Sequence, residues 1–179
     1  VTMEELLYLG ALCPLSSKST HHKLDKLGLH VRQGDYISSE MNERFNTNEN
    51  NTAVALEAIA RAGDRKHWMV FCSGVQHSID FAKCLTDLGI QAHAITTKDS
   101  AEEEDRKLRE FENGTVRALC NFGKYTTGYD FAALDCSLFL RATKSPGLYL
   151  QCAVRGMRPN KKKENCLVLD FAGVVAENG

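Results

Sequence analysis

This chain predicts an α/β domain with a parallel sheet covered by helices on both faces, a three-layer fold, on three observations. Short apolar runs recur at regular spacing from Thr52 onward, segments of helical period lie between them, and Gly or Asn-Gly stops close those segments. Strands buried on both faces read as continuous apolar runs, and parallel neighbours must be joined by a crossover, usually a helix. With 179 residues, 43% of them hydrophobic, the chain is long enough to bury a substantial core.

The elements follow in order. Thr2-Met3-Glu4-Glu5 has the spacing of a capping box and opens a short helix. Residues 13–25 are rich in Ser, His and Lys and read as irregular, and residues 27–33 read as a strand closed by the Gly34-Asp35 turn. The Asn-rich residues 46–51 read as a boundary, which divides the chain into a connecting extension, 1–50, and a domain, 51–179. Residues 53–62 are helical and precede Gly63; residues 68–72 are a strand; residues 76–88 form an amphipathic helix stopped by Gly89. Residues 90–95 are the next strand. Ser100-Ala101-Glu102-Glu103 opens a helix that turns Leu108 and Phe111 inward and ends at Asn113-Gly114. Residues 116–120, 137–140 and 166–171 complete five strands. Ser145 is an N-cap with Pro146 at the first helical position, and Pro159 disfavours the α region at Arg158, so a helix is predicted as far as Arg158.

Composition narrows the function classes. A formal net charge of −1 supplies no global attraction to polyanions, so any such binding must come from local patches. Seven cysteines without a C-x-x-C pair, and no secretory pattern at the start, suggest a reducing compartment, and the expected location is cytoplasmic. No apolar run approaches membrane-spanning length, so no membrane partner is expected.

In open α/β sheets ligands bind outside the carboxyl ends of the strands. The loops there are polar and rich in small residues: Ser73-Gly74-Val75-Gln76-His77, Thr96-Thr97-Lys98, residues 121–130 with Thr126, Thr127, Gly128 and Asp130, residues 141–145, and Asp170-Phe171-Ala172-Gly173. Small residues and hydroxyls let a sugar-phosphate backbone approach main-chain N–H groups, although turns use the same residues. The most informative stretch is Gln151-Cys152-Ala153-Val154-Arg155-Gly156-Met157-Arg158. On a helix the offsets i, i+4 and i+7 would place Gln151, Arg155 and Arg158 on one stripe, where they would converge on one target. Guanidinium forks suit phosphate oxygens; the alternative is a solvated helix face.

Together these residues resemble the second RecA-like domain of superfamily 2 helicases, close to DEAD/DEAH-type and restriction-type translocases. Phe71-Cys72-Ser73-Gly74-Val75-Gln76-His77-Ser78 resembles motif IV, and Arg106, Phe111 and Gly114 match the spacing of the helix that follows it. Thr126-Thr127-Gly128-Tyr129-Asp130 resembles motif V, and Thr143-Lys144-Ser145 followed by residues 151–159 resembles the approach to motif VI and motif VI itself. Gly34-Asp35-Tyr36 is similar to the segment preceding this domain. Val154 departs from the pattern by standing where the family has Gly.

The resemblance implies roles. Arg155 and Arg158 would be arginine fingers reaching the γ-phosphate of ATP, and Gln151 would position that phosphate or the attacking water. Asp130 would approach the nucleotide ribose, with Gly128 beside it. Ser73, Gly74, His77, Thr96, Thr97, Thr126 and Thr127 would contact a nucleic-acid backbone, with DNA favoured over RNA. ATP and Mg2+ would be bound mainly by an N-terminal RecA-like lobe, because this sequence has no phosphate loop: Gly123-Lys124-Tyr125 has Ala118 in place of the first Gly and Tyr in place of the hydroxyl ligand. The start at Val1 without Met fits one half of a motor, inactive alone.

Several weaker constellations carry structural readings. Asp170 reads as a strand terminus and Glu102-Glu103-Glu104-Asp105 as the acidic first turn of a helix. Cys13, His21, His22 and His30 match no common metal spacing, and Cys72 with His77 lacks an activating third group. Two alternatives stand beside the motor reading: a nucleic-acid-binding module without a nucleotide role, to which Val154 points, and a free-standing α/β enzyme using Cys72 or a strand-end loop.

Overall fold

The computed structural model describes residues 1–125 and 129–178. Thr126, Thr127 and Gly128 therefore lie outside the described residues. The chain forms α1 (Met3–Tyr8), β1 (Leu15–Lys18), β2 (Val31–Arg32), β3 (Asp35–Tyr36), α2 (Ser38–Phe45), α3 (Asn48–Arg61), β4 (Trp68–Phe71) and α4 (Val75–Asp87). It continues through β5 (Ala92–Ile95), α5 (Ala101–Glu112), β6 (Ala118–Asn121), β7 (Cys136–Phe139), α6 (Pro146–Ala153), a 3-10 turn (Val154–Met157), β8 (Cys166–Asp170) and α7 (Val174–Asn178).

Six strands form one parallel sheet in the order β1-β8-β7-β4-β6-β5. The central strands β4, β6 and β7 are buried at every residue, Asn121 and Ser137 included, as strands covered on both faces are. Trp68, Met69, Phe81, Leu85, Ile95, Phe111, Leu119 and Leu138 are fully enclosed between sheet and helices. The register aligns Ile95 with Asn121, Asn121 with Phe71, Phe71 with Phe139 and Phe139 with Asp170. Four strand ends and their loops thus share one rim with the fifth. This three-layer architecture is the predicted RecA-like fold.

The local stop and start signals act as expected. Thr2 and Glu5 make both halves of a capping box, the Ser145 hydroxyl caps Leu148 N–H, and Gly89 closes α4 at φ 93°.

Four expectations need correction. Residues 13–25 are not wholly irregular: β1 adds a sixth strand beside β8, because Leu15 packs against the core and the backbone completes an otherwise open edge. Of residues 27–33 only Val31–Arg32 is strand; Gln33 and Gly34 both take positive φ, 53° and 86°, and fold it back on Asp35–Tyr36 as a short hairpin. Residues 46–51 are not a linker, since Thr47 caps α3 and Asn51 is buried inside it. Residues 1–50 are not set apart from the domain: Leu24, Met41 and Phe45 enter the same core, and Leu24 N–H donates to Phe171 O at 2.7 Å.

Candidate functional site at the strand-end rim

A further correction falls on the arginine segment itself. The α-helix ends at Ala153, and residues Val154–Met157 wind more tightly as a 3-10 turn. Three contacts impose the change. A Cβ on Gly156 would sit 2.4 Å from Cys166 Sγ and 2.8 Å from Cys166 Cβ, so the backbone lies directly on β8. Lys163 Nζ donates to Gly156 O at 2.9 Å, and Cys13 N–H donates to Met157 O at 2.7 Å. Helix-terminal carbonyls thereby find partners outside the helix. Arg158 then leaves the turn at ψ 126°, the extended conformation that Pro159 demands.

This break spoils the single stripe. Gln151 is exposed on α6 and its side chain hydrogen-bonds to none of the described residues, whereas the two arginines turn toward the loop after β6. Arg155 Nη1 donates to Tyr129 O, and Arg158 Nε pairs with Asp130 Oδ1 at 3.1 Å. Both side chains of that pair are more than half exposed, 58% and 56%. Arg158 is exposed, while Arg155 is half-buried with its Nε enclosed.

The turn also settles the meaning of Val154. Its side chain is 37% exposed, and the close approach to the sheet belongs to Gly156. Val154 thus adds no bulk between the turn and β8.

The motif IV corner differs from the expectation. Ser73 and His77 are completely buried, and Gly74 is covered by Asn42 from α2; a Cβ at Gly74 would lie 2.2 Å from Asn42 Oδ1. Ser73 Oγ meets His77 Nδ1 at 2.6 Å, and Ser73 N–H donates to the same nitrogen at 3.3 Å. With Nδ1 accepting, Nε2–H donates to Asn51 Oδ1 at 3.1 Å. Asn51 donates to Asn46, and Asn46 to Asp80, at 2.8 and 2.7 Å. Burial lowers the His77 pKa to about 4 with Asp80 opposing, so the ring is neutral. The expected backbone contacts from Ser73, Gly74 and His77 are corrected: these residues form a sealed polar network beneath the extension. Cys72 is also fully buried, which removes it as a nucleophile for an external substrate.

On the neighbouring loop, Thr96 is buried and forms a turn, its N–H donating to Asp99 Oδ2 and its hydroxyl accepting from Lys98 N–H. Thr97 is exposed. Glu104 binds both Lys124 Nζ and Tyr125 OH, which anchors the start of the loop after β6 to α5. Asp35 accepts from Thr143 Oγ1 at 2.7 Å and Lys144 N–H at 2.8 Å, so the upstream Gly34-Asp35-Tyr36 segment docks on the approach to the arginines. Asp170 is a structural terminus as expected, accepting from the N–H groups of Ala172, Val174 and Val175. His21 and His22 present their N–H groups to Glu57, and His30 meets Glu40, so these histidines serve separate contacts. Among the described residues no group of three metal-type side chains gathers.

Sequence reasoning missed Arg141, Asn42 and Asn51. An arginine directly after a buried strand at the sheet's carboxyl end was the available signal for Arg141. The others lie far from the motifs they support and carried no sequence signal.

Comparison with known proteins agrees with this architecture. The helicase conserved C-terminal domain family matches residues 50–160. A Saccharomyces cerevisiae protein named as an ATP-dependent helicase, IRC3, is 27% identical over 164 residues, covering 90% of this chain and 24% of its own length. A Schizosaccharomyces pombe protein named as a mitochondrial ATP-dependent helicase, irc3, is 33% identical over 113 residues, 63% of this chain and 19% of its own. The chain thus spans about a quarter or less of these two relatives. Among solved structures, a fragment of an HsdR-type subunit of a type I restriction enzyme from Vibrio vulnificus YJ016 superposes with TM-score 0.72 at 18% identity, covering 93% of this chain and 33% of that one. A DEAD box protein from Methanococcus jannaschii superposes with TM-score 0.57 at 23% identity, covering 70% and 34%. The chain therefore belongs to the helicase conserved C-terminal domain family.

Proposed function

We propose that this domain is the second motor lobe of an ATP-dependent helicase or translocase, presenting Arg155 and Arg158 to the phosphates of ATP held by an N-terminal RecA-like lobe. The observation that carries this reading is the pair of guanidinium groups turned toward the loop after β6, Arg155 on Tyr129 O and Arg158 on the half-exposed carboxylate of Asp130. Phosphoryl transfer spreads negative charge over the transferring oxygens, so positioned cations lower its barrier. Breaking the surface Arg158–Asp130 pair costs little, which leaves Arg158 ready to exchange a carboxylate for a phosphate. Asp130, released, would then accept from a ribose hydroxyl, and Gly128 is proposed as a further nucleotide contact. Gln151, exposed on the preceding helix, is the candidate to orient water or the γ-phosphate.

Mg2+ belongs with the other lobe in this reading. Thr97, with Thr126 and Thr127, is proposed to contact the nucleic-acid backbone, and DNA is proposed over RNA on the resemblance to restriction-type translocases. Seven free cysteines fit a reducing, cytoplasmic setting. No helix among the described residues is long and apolar enough to cross a membrane.

The test uses the longest natural polypeptide containing this chain. Arg155→Ala and Arg158→Ala are expected to lower nucleic-acid-stimulated ATP hydrolysis by about 10³-fold or more, as removal of arginine fingers does elsewhere. The chain alone is expected to hydrolyse no ATP. Near-normal turnover in both variants would remove the proposal, and stronger stimulation by single-stranded RNA than by DNA would overturn the choice of track.

A further inference from the structure

One guanidinium at the rim is not accounted for by motif VI. Arg141 follows β7 by two residues, its side chain is largely buried, and its guanidinium lies over the Phe122 ring with the centroid 5.1 Å away. Its buried Nε has no hydrogen-bond partner among the described residues, and no carboxylate of those residues lies within ion-pair distance. Asp35 is the acidic group whose field reaches it, yet that carboxylate is already engaged by Thr143 and Lys144. Burial lowers the Arg141 pKa, in keeping with a desolvated cation short of counter-charge.

Its neighbourhood is cationic. Cys152 of α6 lines the same small space as Arg141, and Arg155 follows it three residues along the chain. The space beside Arg141, lined by Phe71, Phe139, Thr143, Leu148, Tyr149 and Cys152, amounts to about 10 Å³. That volume holds at most about one water, so no internal anion can neutralise the cation. A buried unpaired charge is costly, and a second cation near it adds repulsion. Such an arrangement becomes favourable when a multiply charged anion arrives from outside and lies against both.

We propose that Arg141 is a third phosphate-binding residue of the nucleotide site, meeting the same polyphosphate as Arg155 from the β7 side. This inference rests on the reading of Arg155 and Arg158 given above. Phe122 holds the guanidinium plane, so the fork is oriented before the ligand arrives. Lysine at this position would keep the charge but lose the stack and the fork.

Arg141→Met keeps an unbranched apolar stem on Phe122 and removes the charge. In this chain by itself the variant is expected to melt higher by about 2–8 °C, since an unpaired buried cation has been replaced by an apolar group. A lower melting temperature would mean that Arg141 is a structural element and would overturn the inference. In the longest natural polypeptide, affinity for a non-hydrolysable ATP analogue is expected to fall by about 10- to 100-fold, the scale of one charge-assisted hydrogen-bonded contact. Affinity for a single strand without nucleotide should stay within about twofold. Unchanged analogue binding in Arg141→Met, with ATPase lost in Arg155→Ala, would sink this inference and leave the motor reading intact. Normal behaviour of both variants would sink the two together. Weakened strand binding with unchanged analogue binding would assign the guanidinium to a backbone phosphate instead.

Discussion

The motif IV corner and the arginine rim treat polar groups in opposite ways. At the corner, Ser73, His77, Asn51, Asn46 and Asp80 satisfy one another in a continuous chain closed over by α2. At the rim, Arg158 shares one exposed carboxylate and the Nε of Arg141 has no partner among the described residues. A satisfied buried network rigidifies and specifies packing, whereas cations held short of counter-charge mark a place where the missing charge is supplied from outside. Both corners sit at carboxyl ends of neighbouring strands, so position alone does not distinguish them. The accounting of partners does.

Three measurements would break or sharpen that contrast. The largest effect belongs to pH at the sealed corner. His77 titrates near 6.5 in the unfolded chain and about 4 in the folded one, so the unfolded state binds the proton more readily. Stability from this group is complete above about pH 6.5 and declines as pH falls toward 4, by about 3 kcal/mol in all. His67, also lowered by burial, adds in the same direction. Glu57, Asp99 and Glu104 are held below the usual carboxylate range, so their contribution is lost only at lower pH. Urea midpoints for the natural chain and His77→Gln between pH 7 and 5 check this assignment. Parallel curves would show that the corner is not a neutral, sealed site.

The next effect is steric. Gly156→Ala is expected to destabilise the chain by about 1–3 kcal/mol, because the new methyl must displace Cys166 on a buried strand. Val154→Gly, facing solvent, should cost only about 0.5–1 kcal/mol through backbone freedom. Equal melting temperatures for Gly156→Ala and the natural chain would contradict the tight seating of the arginine turn on β8.

The smallest effect is at the rim itself. Asp130→Asn removes an exposed ion pair and should change stability by less than about 1 kcal/mol. A larger loss would make Arg158 a structural residue rather than one waiting for a ligand.

Much of this architecture was legible in the chain. The continuous apolar runs at β4, β6 and β7 exposed the parallel sheet, Ser145-Pro146 marked the start of α6, and the spacing of Arg155, Arg158 and Pro159 pointed to the rim. The strand β1 was hidden because Leu-Ser-Ser-Lys has no apolar alternation of its own; it becomes a strand only by pairing with β8. His77 looked like a ligand because it stands beside Gly and Ser in a strand-end loop, and its burial depends on Asn42 and Asn51, 35 and 26 residues away.

By itself, then, the order of residues determined the elements whose signals are local: caps, stops and apolar strands. Tertiary structure alone decided which of those polar residues are covered, where the helix tightens at Val154, and that Arg141 stands without a hydrogen-bond partner among the described residues. The reason is physical. Capping and periodicity are set within a few residues, whereas burial and charge compensation are set by groups that become neighbours only when distant segments pack.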